Sequence, residues 1–171
     1  MAFAFASFFA HALQPYMTGD KVAGNDLKAA MAATEQKLTA AGFTVLGRHT
    51  PSGIPTHATI VVTEPGFKAA LIQVGGPAVV GLPIRVGVKK DGTVSYQNLE
   101  YWQRAFLREN YAKADATVKA TAEKLHQGLG TGKPFGGDVK AEDLPKYRTW
   151  QGWSASATRA NSRPTAASTR R

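Results

Sequence analysis

The chain has 171 residues, 43% of them hydrophobic, which suits one packed domain with tails and excludes two full-size domains. It contains no cysteine, and this excludes a disulfide framework, a thiolate metal site and a cysteine nucleophile. The formal net charge is +9, yet residues 1–147 hold 16 Lys/Arg against 12 Asp/Glu and residues 148–171 hold five Arg and no acid, so more than half of the excess sits in the tail.

At the N-terminus, Met1–Ala12 is a short run of Ala and Phe closing in Ala10-His11-Ala12, the small-x-small pattern that a signal peptidase accepts. It is too short to span a bilayer as a helix, and no Lys or Arg precedes Lys21. Two readings stand. In one, residues 1–12 are a signal peptide and the protein is periplasmic or secreted; in the other, Phe3, Phe5, Phe8 and Phe9 form a hydrophobic arm packed on a cytoplasmic domain.

Gln14–Thr18 reads as a short strand weakened by Pro15. The three- and four-residue spacing of Leu27, Met31, Thr34, Leu38 and Ala41 predicts a helix over Asp26–Ala41, with Asn25 or Asp26 as N-cap and Gly42 just past its end. Strands follow over Phe43–His49 and His57–Thr63, joined by a loop carrying Pro51, Gly53 and Pro55. Pro65 opens a short helix over Phe67–Val74, which Gly75-Gly76-Pro77 stops. Ile84–Lys89 is the next strand. In the hairpin after it, a Lys90-Asp91-Gly92 loop sets Val88 opposite Val94 and Val86 opposite Tyr96, which keeps the apolar side chains on one face and puts Gly92 in the left-handed region.

From Leu99 to Leu129 the pattern is helical with a break at Arg108–Asn110, its apolar stripe running Leu99, Trp102, Phe106, Tyr111, Val118, Ala122 and Leu125. Gly128–Gly137 ends it. Leu144, Tyr147, Trp150 and Trp153 could anchor a returning segment, and Ser154–Arg171, without large apolar residues, is expected to be disordered.

The motifs that carry chemistry are few. Gln127–Pro134 (QGLGTGKP) lacks the first Gly and the final Ser/Thr of a phosphate-binding loop, and a helix precedes it where a strand is needed. His49 and His57 flank one loop, but Glu64 lies at the far end of the second strand, so no metal site is assigned. Glu64 before Pro65 suits a helix N-terminus, and acid/base work there would need burial and a raised pKa. Arg104 and Arg108 beside Trp102, Phe106 and Tyr111 come nearest to a nucleic-acid face, but Trp102 and Phe106 share a helix face and read as core. No specific nucleic-acid binding, membrane span, cofactor or catalytic residue is assigned.

Ala41-Gly42-Phe43-Thr44-Val45-Leu46, a strand ending in Glu64-Pro65, Gly81-Leu82-Pro83-Ile84-Arg85-Val86-Gly87-Val88, Asp91-Gly92 and Val94-Ser95-Tyr96-Gln97-Asn98 together resemble the bacterial domain-of-unknown-function family 302, over residues 14–107. The resemblance implies an α+β fold, often dimeric, with no established activity; family members typically carry an aromatic-Gly-Asn-Pro turn where this chain has Val62-Thr63-Glu64-Pro65. The expected architecture is an antiparallel sheet of four to five strands with helices packed on one face. It has a core domain over 14–107, a helical and loop extension over 108–153, and the basic tail 154–171. Three functions stay open. The first is an exported, non-enzymatic binder of a small ligand or protein partner in the groove between sheet and helices, with His49, His57, Glu64, Arg85 and Tyr96 as candidates. The second is an acid/base enzyme using Glu64 or a His on a small substrate, and the third is a structural homodimer packed through the long helix.

Overall fold

In the segment 84–89 β-branched residues recur at every second position, and in 57–63 they run unbroken from Thr59 to Thr63, and a strand of either kind can turn one face to a core. In the computed structural model, which describes residues 12–146, these segments are the central strands β4 (His57–Thr63) and β5 (Ile84–Lys89). Around them a six-stranded antiparallel sheet runs in the order β3-β4-β5-β6-β2-β7, with β2 Tyr16–Thr18, β3 Thr44–His49, β6 Val94–Gln97 and β7 Pro134–Phe135. A separate two-stranded ladder joins β1 (Ala12–Leu13) to β8 (Val139–Lys140). The sheet is thus wider than the four to five strands expected, because the two-residue strand β7 adds to the edge beyond β2; a segment so short has no period to read.

The hairpin register is the one that the apolar pattern demands. Val88 pairs with Val94 and Val86 with Tyr96, and Gly92 sits at φ 81°, with its N–H donating to the Lys89 carbonyl at 3.0 Å. A side chain on Gly92 would collide with the Val22 carbonyl. Both sheet edges are blunted: β7 is two residues long, and β3 carries a bulge between Val45 and Gly47 that leaves Leu46 exposed.

Ala58, Ile60, Val62, Ile84, Val86, Val88, Val94 and Tyr96 form the inner face, all buried. Helix α1 (Leu27–Ala40) packs across β3, β4 and β5. Asp26 caps its start by accepting the Ala29 N–H at 2.8 Å, and its end is a Schellman turn in which Gly42 (φ 89°) and Phe43 donate to the Thr39 and Leu38 carbonyls, both at 3.0 Å. That turn brings Phe43 over Leu38, both in the core. The buried stripe of α1 is Ala30, Thr34 and Leu38, so Leu27 and Met31 lie further from the centre than their spacing suggested; Thr34 satisfies its hydroxyl on the Ala30 carbonyl at 2.8 Å.

The helical stretch after Asn98 breaks where the sequence placed the break, into α3 (Leu99–Leu107), a 3-10 segment over Arg108–Lys113, and α4 (Asp115–Leu129). Helix α4 packs against α1, α3 and α2 (Pro65–Val74), and its Val118, Leu125 and Leu129 enter the same core as the sheet valines. Helix α3 is buried on two sides. Leu99 and Leu107 face the main core, whereas Tyr101 joins Leu13 and Leu144 in a second small cluster. Leu144 is therefore an anchor as expected; Tyr147, Trp150, Trp153, the basic tail and the N-terminal run up to His11 lie outside the described residues. Among the described residues no helix is long and apolar enough to cross a membrane.

Candidate functional site

Gly75, at φ 72°, ends α2, and Pro77 in the first turn of the next segment suits a tight continuation, a 3-10 helix over Gly76–Gly81. This turn buries only Ala78 and Gly81. Val79 and Val80 are left 48% and 60% exposed, and Ile72 on α2 is 53% exposed. Opposite lies the end of α3, anchored to the turn by Gln103, whose side-chain amide donates to the Gly81 carbonyl at 3.0 Å.

Between the two is a cleft of about 620 Å³. Val74, Pro77, Ala78, Val80, Phe106 and Leu107 make its apolar wall together with Ala105, and Arg108, Glu109 and Asn110 supply its polar part. The volume falls within the range of roughly 300–1,000 Å³ typical of small-molecule sites.

Arg108 adopts φ 52°, ψ −124°, and no other non-glycine described residue has a positive φ. Such a backbone costs about 1–3 kcal/mol at a residue with a Cβ. Its position at the C-terminal end of α3 favours a cation, but that is worth about 0.3–1 kcal/mol at an exposed site and does not offset the strain. The neighbouring charges are otherwise committed: Arg104 binds Glu100 at 2.7 Å and lies 4.3 Å from the centre of the Tyr111 ring, Lys119 binds Asp115 at 2.8 Å, and Lys146 binds Asp143 at 2.9 Å. Arg108 and Glu109 have no ion-pair partner among the described residues.

A row of rings leads away from the cleft. Phe106 stacks on Trp102 (5.7 Å between centroids), Trp102 approaches Tyr16 (6.0 Å), and Tyr16 stacks on Phe135 (5.5 Å). Trp102 and Phe106 are thus half-buried members of a surface row and not part of the main core as their spacing suggested. The Trp102 indole N–H donates to the Pro15 carbonyl at 2.9 Å, which fixes the ring.

The five residues chosen from the sequence do not converge. His49 lies opposite Thr59 and His57 opposite Lys89, both exposed on the outer sheet face, where Arg85 also points into solvent opposite Val61. Tyr96 faces inward; its hydroxyl donates to the Gly130 carbonyl at 2.7 Å, and burial, with Asp20 and Glu123 adding to it, pushes its pKa to about 12. It does line a cavity, with Glu100, Lys119, Glu123 and His126, but one of only about 150 Å³. Glu64 is buried as the N-cap of α2, accepting the Phe67 N–H at 2.6 Å and the Lys124 ammonium at 2.7 Å. Burial raises its pKa, yet the Lys124 and Phe67 hydrogen bonds outweigh this and hold it below the ordinary value, the reverse of what a general acid needs. Beneath the central strands, the interior between sheet and helices, where a groove was expected, is filled by fully buried side chains such as Ile60, Val86 and Phe67, and the space left between β6, α3 and α4 is the small cavity at Tyr96. Among the described residues no three His, Asp or Glu side chains are placed to hold a metal ion.

No protein-family model matches the chain, and no curated protein matches it. Among solved structures, the crystal structure of uncharacterized conserved protein DUF302 from Bacillus stearothermophilus is similar, with a TM-score of 0.52 and 17% identity over 67% of this chain and 94% of that chain. The fold supports the resemblance to domain-of-unknown-function family 302 drawn from the sequence, and at this identity the likeness concerns fold alone.

Proposed function

We propose that the protein is a non-enzymatic binder of a small, largely apolar molecule, and that its site is the cleft between the 76–81 turn and the end of α3. The observation that carries this is a concavity of ligand size whose apolar wall leaves Val80 60% exposed to water, a cost that burial under a ligand would remove. The titratable lining residues, Arg108 and Glu109, are both exposed, and neither has the buried acid/base partner that proton-transfer chemistry uses.

The test is thermal unfolding of the full chain with 1-decanol as a neutral apolar probe. At a hundredfold excess over Kd, binding to the native state adds about 2.7 kcal/mol, which for a domain of this size raises Tm by about 5–10 °C. Val80→Asp should abolish that rise while leaving the unliganded Tm nearly unchanged, because Val80 is 60% exposed. Equal rises in both proteins, or none in either, would contradict the reading.

A further inference from the structure

We infer that the molecule taken by this cleft is an amphipathic anion, its hydrocarbon body on Val74, Pro77, Val80 and Phe106 and its carboxylate head on Arg108. This rests on the cleft being a binding site and adds the chemical class of what binds.

Arg108 is the residue that sets the chemistry of the cleft. It lines the cleft at the point where α3 gives way to the 108–113 turn, and it holds a backbone conformation that glycine would adopt without strain. Neighbouring carboxylates do not claim it, since Glu100 is taken by Arg104, Asp115 by Lys119 and Asp143 by Lys146. A guanidinium with no ion-pair partner among the described residues, beside an apolar wall, matches a planar carboxylate in both geometry and charge, through two parallel N–H donors.

Glu109 also lines the cleft and would repel such a head, so its neutralisation should strengthen binding. The strained backbone separates the two residues, because it belongs to Arg108 and not to Glu109. A cationic amphiphile held by Glu109 is therefore an outcome that would count against the inference.

The experiment compares decanoate, 1-decanol and decylammonium as probes by isothermal titration calorimetry, below the concentrations at which they aggregate. Wild-type protein should bind decanoate about tenfold more tightly than 1-decanol, the scale of one charge-assisted contact. Arg108→Gly should erase that preference while keeping 1-decanol binding, Arg108→Lys should keep part of it, and Glu109→Gln should sharpen it. Equal binding of decanoate and 1-decanol, untouched by Arg108→Gly, would overturn the inference and leave the cleft reading standing; a preference for decylammonium would overturn it too. Failure of all three probes to bind would instead remove the cleft as a site. Binding only to vesicles of an anionic lipid, with no affinity for free decanoate, would replace the small molecule by a membrane surface and so refute the proposal.

Discussion

On the inner face of the sheet, Ile60, Val62, Ile84 and Val86 are fully buried, and Thr34, Tyr96 and Glu64 nearby are answered by a helix carbonyl, Gly130 and Lys124, although the buried Thr63 hydroxyl has no hydrogen-bond partner among the described residues. On the flank formed by α2, the 76–81 turn and α3, residues of the same kind stand about half in water, Arg108 and Glu109 lack ion-pair partners among the described residues, and the backbone is strained at Arg108. The two regions draw on similar side chains, so composition does not distinguish them. What differs is whether another part of the chain covers them, and an uncovered, strained concavity is where a ligand can supply the missing contacts.

The largest effect that separates the two regions should come from Ile60→Ala. Deleting a fully buried isoleucine under α1 should cost about 3–4 kcal/mol in urea unfolding, whereas Val80→Ala on the flank should change stability by less than about 0.5 kcal/mol. Comparable losses at both sites would erase the contrast.

Next in size is Glu64→Gln, expected to cost about 2 kcal/mol, because it weakens the α2 cap and leaves Lys124 without its anion. The folded carboxyl has a pKa below its ordinary value of 4.5, so its stabilisation is present above that value and is lost as the pH falls through the folded pKa. Unfolding of the wild type should therefore become easier on acidification below about pH 4.5, and the Gln variant should show a flatter profile over the same window. Parallel profiles would mean that Glu64 is not held ionised by these bonds.

Arg108→Gly should act in the opposite direction, raising stability by about 1 kcal/mol through relief of the positive φ, net of the lost charge at the helix end. A destabilised glycine variant would show that the arginine side chain supports the fold, which would weaken its assignment to a ligand.

Much of the frame was legible where short-range chemistry decides it. The limits of β4 followed from its β-branched run and those of β5 from apolar alternation, the hairpin register from keeping Val86, Val88 and Val94 on one face, the end of α1 from Gly42, and the interruption of the long helix from Arg108–Asn110. Strands β1, β7 and β8, of two residues each, left no period, and they exist only because distant segments meet, as Leu13 does Val139. Trp102 and Phe106 misled because a helix buried on two other faces, through Leu99 and Leu107 and through Tyr101, leaves its largest rings on a third.

The candidate site was not legible. His49, His57 and Arg85 were chosen for residue type near strand ends, and type does not say which face of a sheet is covered. The cleft arises where the 76–81 turn meets the end of α3 across more than twenty residues of sequence, a contact that no local pattern encodes. Two features could have drawn attention to it: the apolar Val80 between glycine and proline punctuation, and the helix break at Arg108.

The most direct test is an amide nitrogen–proton correlation spectrum of the labelled protein titrated with decanoate. Shift changes confined to residues 74–80 and 105–110 are the expected result. Changes centred on Tyr96 and His126, or on the outer-face residues His49, His57 and Arg85 with the cleft silent, would contradict the account.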